Sequence, residues 1–375
     1  MVTIEKVVSR SDLKRFASFP NELYKQNECY IPSLIRDEMK NLDKEENASF
    51  EFCDADYFLA WKDGKLVGRA AAIYNPRAIE TWQRNSVRFG WIDFIDDREV
   101  SAALLETVAD WGRERGCDFI EGPMGFTDFD PEGMLIEGFD QVGTMSTIYN
   151  FPYYKDHLEA LGFSKQTDWV EYLIDLPEQL PERYVRLSKV LMEKYHLRTR
   201  HYTRKEIKRF NVGHKLFNLI NNTYSALYGF SRLSEGQIQQ YVDNYMRFID
   251  LDFMSFIVDD VEEIVGFGLM VPSMAVALKK AGGRYLPTGW WHLLQGLKGR
   301  NTEIIDMFII AVRKDLQRQG VPALIVSDLH PRLIARGFKQ AESNPELETN
   351  ADVQNLWGYF HSRIHKRRRV YGKSL

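Results

Sequence analysis

The chain has 375 residues, of which 49 are Lys or Arg and 53 are Asp or Glu, so its formal net charge is −4. This near balance argues against a nucleic-acid coat protein or a strongly cationic membrane-surface protein. Apolar residues make up 44% and charged residues 27%, a globular composition that argues against a disordered or collagen-like chain. At roughly 150 residues per domain, the length predicts two domains.

The cysteines and the lengths of the apolar runs indicate the cellular compartment in which we expect the protein. Cys29, Cys53 and Cys117 show no CxxC spacing, which argues against a disulfide framework and a cysteine-ligated zinc site. The N-terminus lacks the apolar core of a signal peptide. No apolar run approaches the roughly 20 residues that span a bilayer. We therefore expect a cytoplasmic protein without a membrane span.

The first half begins with two short helices at 11–18 and 33–40 and continues with a predicted hairpin. Strands at 57–61 and 65–74 are joined by a polar turn containing Gly64. The pattern then predicts a strand at 89–95, an amphipathic helix at 97–116, a strand at 117–121, a long loop at 124–150, a helix at 152–161 and a strand at 168–176. Pro177 and Pro181 bracket a polar stretch, which divides the chain into predicted domains 1–178 and 179–375.

The second half repeats this order after a helical insert at 182–248. The predicted elements are a hairpin at 253–258 and 263–271, a strand at 302–312, a helix at 320–336, a strand at 339–343, a helix at 352–361 and a strand at 363–371. Asp63-Gly-Lys-Leu-Val-Gly68 is similar to Val261-Glu-Glu-Ile-Val-Gly266 at an offset of 198 residues. A repeat of about half the chain length indicates duplicated domains.

This element order resembles that of the acyl-CoA N-acyltransferase, or GNAT, superfamily. Residues 153–165 are similar to its closing helix and turn, and Val312, Gln317 and Gly320 match its spaced Val, Gln/Arg and Gly pattern. The chain also resembles, over nearly its whole length, a family of uncharacterised bacterial tandem GNAT-like proteins. That resemblance is carried by residues 122–125, 132–140, 149–154 and 348–350. It implies an α+β or α/β fold with two tandem GNAT-like domains, each a mixed twisted sheet flanked by helices.

The resemblance implies acetyl-CoA or another acyl-CoA as co-substrate of the second half. Its pantetheine arm would lie along the long strand at Ile310, Ala311 and Val312, with its diphosphate at the start of the next helix. The residues expected there are Gln317, Arg318, Gln319, Gly320, Val321 and Ala323. Pro322 departs from the superfamily pattern and removes one backbone donor. In the first half, residues 96–100 hold three acids and no glycine, so we expect no acyl-CoA site there.

The same resemblance implies a base and an acid for amide formation. Asp306 lies six residues before Val312, where histone-acetyltransferase-like members have an acidic base, and its apolar neighbours would raise its pKa. Tyr359 is the candidate acid that would reprotonate the departing thiolate. The structural alternatives are a solvent-facing edge carboxylate and a core aromatic residue.

Two polar groups are candidates for an acceptor pocket. Those after the penultimate predicted strand are Glu342, Asn344, Glu348 and Asn350, for which turn and cap roles are the alternative. Asp128 and Asp130 lie in the long loop and would suit a cationic amine. That loop lacks EF-hand spacing, so we expect no metal. The expected acceptor is a small-molecule or peptide amine.

The run from His365 to Lys373 is markedly basic. It predicts a solvated strand face on which Lys366 and Arg368 alternate with Arg367 and Arg369, or a contact with phosphate or RNA. Net acidity argues against RNA and DNA. The leading hypothesis is an N-acyltransferase with one working site in the second half. A non-catalytic ligand-binding or interaction protein of the same fold stays open. So does an acyl-chain transferase that uses acyl carrier protein.

Overall fold

The computed structural model describes residues 1–246 and 248–375, and nothing is described for the side chains of Arg183, Arg318 and Asp352. The strands are β1 Val2–Lys6, β2 Asp54–Lys62, β3 Lys65–Tyr74, β4 Ser86–Phe94, β5 Phe119–Gly122, β6 Met134–Glu137, β7 Ser164–Asp175, β8 Arg198–Arg200, β9 Met254–Val258, β10 Ile264–Pro272, β11 Ile304–Val312, β12 Gln340–Ser343, β13 Glu346–Leu347 and β14 Ser362–Ser374.

Helices connect these strands in a regular way. They are α1 Arg10–Leu23, α2 Ile35–Asn41, α3 Pro76–Trp82, α4 Arg98–Arg113, α5 Tyr153–Ala160, α6 Glu182–Tyr195, α7 Arg204–Arg209, α8 Val212–Thr223, α9 Glu235–Tyr245, α10 Ala275–Ala281, α11 Gly289–Leu297, α12 Pro322–Ala335 and α13 Ala351–Trp357. Among the described residues, no helix combines the length and apolar character needed to cross a membrane.

The strands form one continuous sheet, in the order β1-β2-β3-β4-β5-β14-β7-β12-β11-β10-β9-β8. The pairs β4–β5 and β11–β12 are parallel, and the other neighbouring pairs are antiparallel. Two strands lie beside this path, since β6 pairs with β14 and β13 pairs with β7. The two halves therefore share one sheet across the predicted boundary at 178.

The halves exchange strands at the centre of this sheet. Strand β14, from the end of the chain, lies between β5 and β7 of the first half. In turn β7 lies between β14 and β12 of the second half. Each half-sheet is thus completed by a strand from the other half.

Helices cover both faces of the sheet. On β11 in the second half, Val312 packs with α12 in one core cluster, while its neighbour Ala311 packs with α8 in another. This alternation follows from the two-residue period of a strand, which sends successive side chains to opposite faces. The strongly apolar sequence of β11 reflects burial on both sides.

The predicted order of elements in both halves is confirmed, and the structure adds β1, α3 and β13, which the sequence pattern did not predict. Other differences concern longer segments. The long loop contains the short strand β6, and the insert contains the edge strand β8. Helices α10 and α11 fill a connection for which the sequence pattern predicted no element. Finally, α12 begins at Pro322, not Gly320, because a 3-10 turn at Lys314–Gln319 precedes it.

The prediction that the basic run is a solvated face is wrong for Lys366 and Arg368. The alternation is as predicted, but Lys366 and Arg368 are only 1% exposed. Both residues lie on β14 in the middle of the sheet. A carboxylate oxygen of Glu171, on the neighbouring strand β7, lies 3.1 Å from the Lys366 ammonium, and Arg368 pairs with the same carboxylate. Burial is possible because these charges have partners.

Candidate active site

The candidate site lies where β11 and β12 separate. The parallel pairing runs from Ile304 and Gln340 to Met307 and Ser343 and then ends, while β11 continues to Val312. Within the paired part, Asp306 lies directly opposite Glu342. One residue beyond the pairing, β11 bulges at Phe308, which has no partner in the β10 register. The structure thus brings two predicted site carboxylates together beside an irregular, partly unpaired strand.

Asp306 is buried beside other carboxylates. It is 5% exposed, and in the part of the chain that the structure describes its Oδ1 atom has no hydrogen-bond partner. Burial and the neighbouring charge of Glu342 raise the pKa of Asp306 well above its usual range. Lys366 and a hydrogen bond with Ser273 act on this pKa in the opposite direction. The raised pKa favours the protonated form of this acid, and a nearby cation would favour its carboxylate.

A buried ion network lies directly beside this pair. The Lys366 ammonium donates to Glu342 and to the Val142 carbonyl, the latter at 3.1 Å. Arg368 donates to Glu171. Burial alone would raise the pKa of Glu171, but the charges of Arg368 and Lys366 outweigh it and lower the pKa. The network fixes Glu342 in place next to Asp306.

The same network contains a possible metal-ligand set. One potential ligand atom from each of Glu171, Glu342 and His365 lies within 4.8 Å of the others. However, the Lys366 ammonium already hydrogen-bonds to Glu342 and lies 3.1 Å from Glu171. A protein cation therefore occupies the position where a metal ion would bind.

The predicted diphosphate site at the start of α12 is short of free donors. Pro322 has no N–H, and the next two amides, of Ala323 and Leu324, already donate to the carbonyls of Gly320 and Val321 at 2.9 Å. Gly320 has φ 78°, and a Cβ there would lie 3.1 Å from Leu191 of α6. Two of the backbone amides expected to face a diphosphate are therefore engaged within the protein.

The other predicted residues of this segment serve local structure. The side chain of Gln317 donates to the Val312 carbonyl at 3.0 Å, and Gln319 accepts a hydrogen bond from Tyr195. Val321 and Ala323 are buried in the core. The side chain of Arg318 lies outside the described residues.

Side chains also cap carbonyl groups of the unpaired part of β11. Tyr224 donates to the Ile310 oxygen at 2.8 Å, and Asn344 donates to the Phe308 oxygen at 3.1 Å. The oxygen of Asn344 in turn accepts from Ser146 of the long loop at 2.9 Å. An acyl donor that paired with this strand would have to displace these two caps. Ala311 and Val312 are buried and pair with β10 on the other side.

The acids of the long loop form a second cluster near the same strand. Asp128 and Glu132 are half-buried, and burial raises the pKa of Asp128 to about 7. Burial and the charge of Asp128 raise the pKa of Glu132 well above its usual range. Burial also raises the pKa of Asp130, which accepts from Asn41 at 2.8 Å. Burial and, to a smaller extent, the charge of Asp128 raise the pKa of Tyr224, whose hydroxyl donates to the Ile310 carbonyl. The acidic cluster therefore lies close to β11.

The remaining predicted site residues lie elsewhere. Glu348 pairs with Lys165 and with Arg367, which alternates in β14 with the buried Lys366. Asn350 precedes α13, and its carbonyl accepts from the Gln354 amide at 3.3 Å. Tyr359 packs against Tyr184 of α6, with ring centroids 5.7 Å apart. A catalytic role for Tyr359 stays a prediction.

The equivalent positions of the first half are filled by protein groups. Asp97 caps α4 and also pairs with Lys62 at 2.6 Å, so a carboxylate lies at that helix start. On β4, the hydroxyls of Tyr154 and Tyr153 bond the amide and carbonyl of Phe94 at 2.8 and 2.6 Å. The absence of an acyl-CoA site from the first half stays a prediction.

Two residues of the candidate site, Glu171 and Tyr224, were not singled out by the sequence analysis, and two others, Lys366 and Arg368, were assigned to a solvated face or a phosphate or RNA contact. Glu171, Lys366 and Arg368 form the ion network, and Tyr224 caps β11. The two-residue spacing of Lys366 and Arg368 was the only local signal, since the partner Glu171 is 195 residues away from Lys366. Nothing near Tyr224 in the sequence indicates its contact with β11.

Two known proteins are similar to this chain over nearly its whole length. No family model matches the chain. It is 26% identical over 384 residues to protein YghO of Escherichia coli K12, covering 99% of this chain and 95% of that protein. It is 25% identical over 382 residues to the bacterial ceramide synthase of Caulobacter vibrioides, covering 100% and 98%.

Solved structures show the fold. A tandem GNAT protein from the clavulanic acid biosynthesis pathway matches with a TM-score of 0.56 at 10% identity, covering 100% of this chain and 98% of that one. A GCN5-related N-acetyltransferase from Sphaerobacter thermophilus matches with a TM-score of 0.53 at 11% identity, covering 100% and 95%. The chain therefore adopts the tandem GNAT fold.

Proposed function

We propose that this protein is an N-acyltransferase that moves an acyl group from a thioester donor to the amine of a long-chain acceptor. The observation that carries the proposal is the buried Asp306–Glu342 pair at the point where β11 and β12 separate. The tandem GNAT fold supports acyl transfer. The full-length similarity to a protein named bacterial ceramide synthase supports a long-chain amine, because such an enzyme attaches a fatty acyl group to one.

The role of Asp306 follows from its protonation. An acceptor amine arrives as an ammonium ion, and its charge near Asp306 favours the carboxylate over the carboxylic acid. The carboxylate first takes one ammonium proton, which frees the nitrogen lone pair to attack the thioester carbonyl. The C–N bond forms, the C–S bond breaks, and the thiolate takes a proton for which Tyr359 is the proposed source. The nitrogen then loses its second proton, which returns Tyr359 to its neutral form through solvent, so the net proton released is the one on Asp306. Glu342 stays paired with Lys366 and holds negative charge beside the reacting amine.

Acyl-CoA is the proposed donor. Its fit is incomplete, since two amides at the start of α12 are already bonded and two carbonyls of β11 are capped. The caps would hinder either donor, whereas the bonded amides favour, as a second candidate, a donor carried by acyl carrier protein, whose prosthetic arm lacks the diphosphate. Both donors deliver the same thioester, so the chemistry at Asp306 is common to them.

The test is a product assay with the full chain. Palmitoyl-CoA, acetyl-CoA and palmitoyl carrier protein would each be offered with sphinganine and with a short amine, and amide products would be measured by mass spectrometry. We expect a sphinganine amide in the wild type and at least about a hundredfold loss of rate in Asp306→Asn. Amide formation with no such loss would assign the base elsewhere.

The matched control is Glu303→Gln. Glu303 is an exposed acid that immediately precedes β11 and pairs with Lys339 at 2.7 Å. Its loss should leave the rate unchanged. If no donor gives an amide with either amine, while acyl-CoA still raises the Tm, the non-catalytic ligand-binding alternative would replace this proposal.

A further inference from the structure

The connection between β10 and β11 is a helical hairpin with an apolar outer surface. We call residues 274–300 the apolar hairpin; they include α10 and α11. Its inner side packs through Met274, Ala277 and Leu293 against Ile31 of the first half. Its exposed apolar residues are Val276, Leu286, Trp290, Trp291 and Leu294. Both tryptophans are about half exposed, at 48% and 51%.

The charge of this segment differs from that of the rest of the chain. Overall, 53 of 375 residues are acidic, about one in seven, yet there is no Asp or Glu from 264 to 302. The apolar hairpin carries five exposed basic residues, Lys279, Lys280, Arg284, Lys298 and Arg300. Within the described part of the chain, none of the five is paired with a carboxylate.

We propose that the apolar hairpin is a membrane-interface anchor that docks on a bilayer containing anionic phospholipid. Exposed tryptophan with lysine and arginine suits this boundary, because indole rings lie at the headgroup level and cationic side chains attract anionic lipid. A second copy of this chain would instead bring two sets of unpaired cations together, which costs free energy. The charge therefore favours an anionic surface as the occupant.

The anchor adjoins the candidate site. Ser273, which hydrogen-bonds Asp306, is the residue immediately before the apolar hairpin. Docking would therefore hold the Asp306 region close to the bilayer, where long-chain amines and acyl groups reside. The inference rests on the exposure and charge of the hairpin and not on the proposed function.

The experiment is vesicle co-sedimentation of the full chain without any substrate. Vesicles of phosphatidylcholine with 30% phosphatidylglycerol would be compared with phosphatidylcholine alone, in 0.1 M and 0.5 M NaCl. We expect binding to the anionic vesicles that weakens in high salt, because screening reduces the attraction. Lys280→Glu with Arg284→Glu, and separately Trp290→Ser with Trp291→Ser, should each weaken it at least about tenfold.

Matched controls distinguish the apolar hairpin from general surface effects. Lys205→Glu with Lys208→Glu reverses two exposed lysines of α7, and Tyr245→Ser with Phe248→Ser removes two exposed aromatic side chains. Both double variants should bind anionic vesicles like the wild type. Circular dichroism and Tm would establish that every variant is folded.

Three outcomes would overturn the inference. The first is a lack of binding to anionic vesicles, and the second is binding that neither hairpin variant weakens. The third is a dimer, detected by light scattering, that becomes monomeric in the tryptophan variant. Since no acyl donor or acceptor is present, failure here would leave the amide assay unaffected. Conversely, vesicle binding without amide formation would retain the anchor and reject the proposed function.

Discussion

Glu171 and Lys366 lie opposite each other on the two exchanged strands, with a carboxylate oxygen 3.1 Å from the ammonium nitrogen and both side chains fully buried. The pair therefore links β7, the last strand of the first half, to β14, the strand that completes the sheet of that half. Arg368 shares the same carboxylate. The centre of the sheet is therefore held by an ionic network as well as by backbone hydrogen bonds.

Removing the Glu171 charge should be strongly destabilising. Glu171→Gln leaves Lys366 and Arg368 without their shared anion, and breaking a buried pair in this way costs about 3–5 kcal/mol. Glu348→Gln is the matched change, because Glu348 pairs with Lys165 and Arg367 at a more exposed position, and it should cost about 1 kcal/mol or less. Urea unfolding of both variants measures the difference. Equal values would contradict a structural role for the network.

The network also predicts behaviour in acid. Because the folded-state pKa of Glu171 is lowered, its stabilisation is present above the unfolded pKa of about 4.3 and is lost as pH falls through the folded value. Wild type should therefore lose this part of its free energy of unfolding below about pH 4. Glu171→Gln should lack that step when Tm is followed from pH 7 to pH 3.

The stability that Asp306 contributes changes with pH in the opposite direction to that of Glu171. Its folded-state pKa is raised, so the stability it contributes is full below the unfolded pKa of about 3.9 and is lost as pH rises through the folded value. Asp306→Asn keeps a neutral side chain at all pH values. Its Tm should equal or exceed that of the wild type at pH 8, while its kcat falls about 10²–10⁴-fold. A variant that lost stability at pH 8 would identify Asp306 as a structural anion instead.

The start of α12 offers a test of donor recognition. Pro322→Gly adds one N–H to the first turn, and it should tighten CoA binding measured by calorimetry by about 1–2 kcal/mol if the diphosphate lies there. Gly320→Glu should abolish such binding, because it places an anion at that position and a side chain against Leu191. Unchanged affinity in both variants would place the diphosphate elsewhere or indicate a carrier-protein donor.

Asp128 should control acceptor binding through its own titration. Its pKa of about 7 means that it gains its negative charge between pH 6 and 8, so KM for a cationic amine should fall as pH rises through this range. Asp128→Asn should raise KM and remove that pH step. Asp140→Asn, which changes an exposed acid of the same loop, should keep both the KM and the step.

Strand exchange makes the predicted domains testable. A fragment of residues 1–178 lacks β14, so β5 and β7 would have no strand between them. We expect this fragment to be insoluble or to lack a cooperative unfolding transition when expressed alone. Linking residues 362–375 to it through a flexible linker should restore a cooperative transition in circular dichroism. Cooperative unfolding of the bare fragment would show that the first half folds without the exchange.

Local patterns predicted much of the fold, because hairpins and amphipathic helices are specified by nearby residues. The apolar run at 302–312 placed Asp306 on a long strand, the family resemblance singled it out, and Glu342 belonged to a polar group at the next predicted strand; the structure sets the two opposite each other. The exchange of β7 and β14 was not predictable in this way, since its pairing joins residues almost 200 positions apart. The burial of Lys366 and Arg368 depends on that pairing, so their sequence alone indicated a solvated face.

The central position of β14 has a consequence for biosynthesis. A ribosome releases β1 to β5 and β7 long before residues 362–374, so the nascent first half must wait with two unpaired strand edges at the place where β14 belongs. Translation at about 5–20 residues per second makes that wait roughly 10–40 seconds for the intervening ~190 residues. During this interval the chain depends on chaperones or on slow collapse to avoid edge-to-edge association. A nascent chain that stops before residue 362 would keep both edges unpaired, so it would stay prone to edge-to-edge association.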